Sequence, residues 1–97
     1  MGSITLIRTG TVQKIDQEVS LGRPHNVILF NDDIHDMVEV IIQIEKAIHC
    51  DSGRASAIMM EAHRTGRAIV ITAWLERCEL VSAVLEEIRL GTKIEPA

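Results

Sequence analysis

The chain has 97 residues, 46% of them hydrophobic and 25% charged, with a net charge of −4. That length gives one domain and rules out a second of ordinary size. The acidic balance argues against a nucleic-acid partner, and an aromatic content of 2% (Phe30, Trp74 and no Tyr) excludes a single-strand binder built on stacking platforms.

Residues 1–23 come first, with Gly10, Gly22 and scattered charges. They read as an N-terminal tail, either mobile or holding a short strand where Ile4 and Leu6 alternate with polar residues. The start lacks a basic region followed by an apolar stretch, so no leader is expected, and no apolar run approaches the ~20 residues of a membrane span. After Pro24, the run Asn26–Phe30 is short, apolar and β-rich, and the polar cluster Asn31-Asp32-Asp33 stops it. It is expected to be a buried strand. Met37, Val40, Ile41, Ile44 and Ile48 then recur at helical spacing, with Asp36 placed as the N-cap.

Asp51-Ser52 offers the next cap, and Ala55, Met59 and Ala62 form a stripe flanked by Ile58 and His63. Gly66 occupies the position where glycine ends helices. Ala68–Ile71 reads as a second buried strand, and Leu75, Cys78, Ser82, Leu85 and Ile88 as the stripe of a third helix ended by Gly91. Thr92–Glu95 completes the order as a short strand. The result is an α/β (α+β) fold: a compact single domain, β-α-α-β-α-β, over residues 24–97, with helices on one face of a small three-stranded sheet.

Chemistry concentrates at two places. Asn31-Asp32-Asp33 is a cluster of acceptors where a strand hands over to a helix. His63 sits near the end of the second helix, and a short link makes the first two helices an antiparallel hairpin. The hairpin should bring His63 to the acceptor cluster, and Met37 and Val40 opposite Met59 and Ala62. A polar rim beside an apolar slot suits a primary ammonium, which has three donors and no acceptor, attached to a carbon that also carries a large hydrophobic side chain. Cys50 and Cys78 fit no paired-metal spacing and read as small apolar residues in a reducing cytoplasm.

The stretch VILFNDD, then Met37, then RASAIMMEAHRTGRAIV resembles the ClpS-type adaptors of the bacterial Clp protease, from about Pro24 to Glu95. The resemblance implies a cytoplasmic adaptor, not an enzyme, with no cofactor and no membrane partner. It would bind proteins with a destabilising N-terminal residue (Leu, Phe, Trp or Tyr; N-degrons) and deliver them to a ClpA- or ClpC-type unfoldase. By that resemblance Asn31 and His63 would contact the α-amino group, with Asp32 and Asp33 supplying charge and water-mediated contact. Met37, Val40, Met59 and Ala62 would line the side-chain pocket, Leu90 would close its floor, and Ile34 and His35 would stand at its rim. Glu76 matches an acidic position used in docking to the unfoldase, and the N-terminal tail takes part in delivery in this family.

The chain departs from the family pattern at His35-Asp36, where a Thr-Pro pair is usual, and at Ala62, where a branched aliphatic is usual. It also has Val81 at the basic docking position, and a shorter segment from Trp74 to Leu90. Three alternatives stand beside this reading. Asp32, Asp33, His35, Asp36 and His63 could ligate a divalent ion in a small enzyme. Cys50, next to His49 and Asp51, could be a nucleophile. A module like the C-terminal domain of the ribosomal stalk protein would share the element order but lack the amine site.

Overall fold

The computed structural model describes residues 22–97, so the reading of the tail lies mostly outside the described residues. The elements are β1 (His25–Phe30), α1 (Met37–Ile48), α2 (Ser52–Thr65), β2 (Arg67–Ala73), α3 (Leu75–Glu86) and β3 (Thr92–Pro96), in the expected order. β1 is the central strand and pairs antiparallel with both neighbours, giving the order β2-β1-β3.

Local chemistry sets most boundaries. The Asp36 carboxylate accepts from the Glu39 N–H at 2.9 Å, and Asp51 accepts from the Arg54 N–H at 2.8 Å, each satisfying a donor that a helix start leaves free. α2 stops at Gly66, whose φ of 98° is costly for any residue with a Cβ. α1 ends at His49 with φ 55°. These ends hold α1 and α2 as the expected hairpin, with Val40, Ile44, Ala55, Met59 and Ala62 buried in one core.

The sheet covers that core with one face. Along β2, Ala68 and Val70 are buried while Ile69 is 52% exposed, the alternation of a strand with one face packed. The reading of Ala68–Ile71 as a wholly buried strand is corrected accordingly. In β1, Val27 and Leu29 face the core, and the pairing with β2 shifts register between Val27 and Ile28.

α3 departs most from expectation. It ends at Glu86, not at Gly91, so Ile88 lies beyond it. Val81 is buried on its inner face, and Leu75, expected on the buried stripe, is 43% exposed. The early end has a specific cause. The Val84 carbonyl accepts from Gln43 Nε2 of α1 at 2.6 Å and from the Glu87 N–H at 3.2 Å. The last turn therefore tightens, and Arg89 takes a left-handed φ of 68°. The chain then turns Leu90 inward, to 2% exposure, and the Phe30 N–H donates to the Gly91 carbonyl.

Candidate functional site

β1, the hairpin and the turn after α3 meet around a cavity of about 190 Å³. Its lining is Leu29, Phe30, Asn31, Asp32, Asp33, His35, Met37, Val40, Met59, Ala62, His63 and Leu90. Its position follows from the connections. The Asn31 N–H donates to the Gly66 carbonyl at 2.9 Å, which fastens the end of β1 to the end of α2. The acceptor cluster and His63 are thereby brought to one rim. Met37 and Val40 from α1 stand with Met59 and Ala62 from α2, and Leu90 closes against them.

Two lining residues, Leu29 and Phe30, were not among the expected ones. They occupy the last positions of β1, immediately before the acceptor cluster, and that placement was the available signal. Ile34 stands outside the lining with its side chain 90% exposed, since Asp33 and His35 on either side of it turn to the cavity. Glu76 is exposed in the first turn of α3 and takes no part in the cavity.

The polar groups divide into those that hold the loop and those left open. Asp32 holds it. One carboxylate oxygen accepts from the N–H groups of Ile34 and His35, at 2.6 and 2.8 Å, and the other lies 2.7 Å from His35 Nδ1. The His35 N–H, followed by the remaining contacts, lowers the Asp32 carboxyl from its ordinary value, with burial opposing. The hydrogen bond to Asp32 raises the His35 imidazole, again against burial.

The signs follow from linkage. The Asp32 contribution to stability is present above the unfolded carboxyl value of 3.8 and fades as pH falls through the lowered folded value. The His35 contribution is complete below the unfolded value of 6.5 and fades as pH rises through the raised folded value. Replacing Asp32 by Ala removes three contacts at a side chain only 13% exposed, and is expected to cost about 1–3 kcal/mol. A melting temperature lower by several degrees is the check, and an unchanged one would mean that the loop does not depend on this carboxylate.

The open groups are Asn31, Asp33 and His63. Asn31 Nδ2 donates to Asp33 Oδ1 at 3.2 Å, which leaves the amide oxygen and the rest of the Asp33 carboxylate as acceptors at the rim. His63 is exposed on the last turn of α2 and makes no side-chain hydrogen bond among the described residues. The site thus offers acceptors from three side chains above an apolar space. An apolar cavity of about 150 Å³ is large enough for a benzene ring.

Among the described residues, no group of three or more His, Cys, Asp or Glu side chains is placed to hold a metal ion. Cys50 is half-buried, and the Asp51 carboxylate beside it is engaged as the α2 cap. No helix is long and apolar enough to cross a membrane among the described residues.

Comparison with known proteins agrees with this architecture. The family model for the ATP-dependent Clp protease adaptor protein ClpS matches residues 21–91. The ClpS adapter of Synechococcus elongatus is 34% identical over 73 residues, covering 74% of this chain and 77% of that protein. The one from Gloeobacter violaceus is 38% identical over 73 residues, covering 74% and 78%. The structure of Agrobacterium tumefaciens ClpS2 bound to L-phenylalaninamide superposes with a TM-score of 0.73 at 22% identity, covering 77% of this chain and 98% of that one, which shows a shared fold. With the family model spanning most of the chain and relatives above 30% identity, the chain belongs to the ClpS family of Clp protease adaptor proteins.

Proposed function

We propose that the cavity receives the first residue of a client protein, when that residue is large and hydrophobic, and that the chain delivers the client to a ClpA- or ClpC-type unfoldase. The observation that carries this reading is the set of open acceptors on Asn31, Asp33 and His63, at the mouth of a space lined by Met37, Val40, Met59, Ala62 and Leu90. A free α-ammonium supplies three donors to that rim, and the side chain on the same carbon fills the space below. Asp32 contributes charge from behind, its oxygens already held by the loop. The Agrobacterium tumefaciens relative was solved with L-phenylalaninamide, which has a primary amine and a phenyl side chain on one carbon. A ligand of that chemistry matches what this cavity offers. Residues 24–97 then form the adaptor domain, residues 1–23 serve delivery, and the exposed Glu76 contributes to unfoldase docking.

Burial of one large apolar side chain gives about 1.5–3 kcal/mol, and each charge-assisted hydrogen bond a similar amount. After ordering costs, dissociation constants from high nanomolar to tens of micromolar are expected. Such a ligand can be handed on.

The test compares peptides that start with Trp, Phe, Leu or Ala, by fluorescence anisotropy, on the natural chain and on Ala62→Val. The bulky first residues should bind about tenfold or more tightly than Ala. Ala62 is buried in the cavity wall, and adding two methyl groups there should weaken Trp and Phe severalfold relative to Leu. Equal binding of all four peptides would overturn the pocket reading. Unaltered ratios in Ala62→Val would remove Ala62 from the pocket.

A further inference from the structure

His35 stands where the family pattern has Thr, and its ring is enclosed by the site. Its side chain is 15% exposed and lines the cavity. Nδ1 lies 2.7 Å from Asp32 Oδ2, and the His35 N–H donates to the other oxygen of the same carboxylate at 2.8 Å. One imidazole therefore braces the acceptor loop from inside the cavity that the loop borders.

The ring's partner is an acceptor, a carboxylate oxygen. A neutral imidazole donates to it as an uncharged N–H, whereas the imidazolium makes the shorter, stronger charge-assisted bond. The charged groups around the ring favour the same form: Asp32 on the loop and Glu39 in the first turn of α1. Asp33 and His63 line the same cavity. The ring is accordingly raised above its ordinary value, first by the Asp32 hydrogen bond and against burial.

A ligand ammonium changes this balance. It brings a second cation into a cavity of about 190 Å³, and its side chain expels the water that would screen the two charges. We propose that His35 is a positioning residue that couples the amine site to a proton: protonated, it pairs with Asp32 and holds the acceptor loop at the cavity wall, and it gives up that proton when an N-terminal ammonium binds. The proposal rests on the reading of the cavity as an amine site. Its consequence is that affinity rises with pH across the mildly acidic range, until the ligand's own α-amino group, near pH 7.7–8.0, begins to lose its charge. Coupling is reciprocal, so the bound ligand must lower the proton affinity of His35 by the same factor.

NMR titration of the assigned imidazole resonances tests this in the full chain, free and saturated with a Phe-initiated peptide. The His35 midpoint should fall by about half a pH unit or more on binding, roughly a threefold loss of proton affinity. His35→Gln keeps a donor at the position but does not titrate. Its peptide affinity should lose about threefold less than that of the natural chain between pH 7.5 and 5.5, with all other groups common to both. A His35 midpoint that stays or rises on binding, or equal pH dependence in His35→Gln and the natural chain, overturns the proposal alone. Absence of peptide binding at every pH overturns the reading of the cavity and this proposal with it.

Discussion

A His63→Ala variant is expected to bind a Phe-initiated peptide about 10–100-fold more weakly than the natural chain, with no loss of melting temperature. The two halves of that expectation have separate causes. His63 is exposed on the last turn of α2, and its ring bonds to no described residue, so its removal breaks no internal interaction. Alanine is moreover the better helix former, by a few tenths of a kcal/mol. For the ligand the loss is direct. In the proposed amine site the ring supplies one of the acceptors around the ammonium, and a charge-assisted hydrogen bond is worth about 1.5–3 kcal/mol. His63→Gln, which keeps an acceptor near the same place, should recover part of the affinity. Unchanged binding in His63→Ala would place the amine elsewhere. A lowered melting temperature would show that the imidazole is structural.

The features legible in the sequence are those fixed by nearby residues. Asp36, Asp51 and Gly66 each act within one helical turn of where they stand, and all three mark helix ends as read. The meeting of Asn31-Asp32-Asp33 with His63 was also legible, because a short link between two helices leaves little choice but a hairpin. The roles given to these residues toward an amine came from a likeness of motif together with donor and acceptor chemistry.

What escaped depends on partners distant in the chain. The end of α3 is decided by Gln43, 41 residues away, whose amide takes the Val84 carbonyl. With that carbonyl drawn toward α1, the last turn tightens, and Gly91 is not needed as a stop. The run Ala68–Ile71 looks wholly apolar and reads as buried, although the one-sided sheet expected from the element order already leaves alternate residues such as Ile69 on the open face. Within the acceptor cluster, residue types alone could not separate Asp32 from Asp33. The structure does so by turning the first onto Ile34 and His35 and leaving the second at the rim with Asn31.

The central claim is that a free α-ammonium is what the rim recognises, and blocking that one group tests it. A Phe-initiated peptide with a free N-terminus and the same peptide N-acetylated carry identical side chains into the cavity. Acetylation removes the charge, reduces three donors to one, and places a carbonyl and a methyl group against the Asn31 and Asp33 acceptors. Losing two charge-assisted hydrogen bonds at about 1.5–3 kcal/mol each corresponds to at least about 100-fold in affinity. Fluorescence anisotropy of the two peptides on the full chain at pH 7 should show saturable binding of the free form, with the acetylated form weaker by that factor or more. Equal binding of the two would contradict the account.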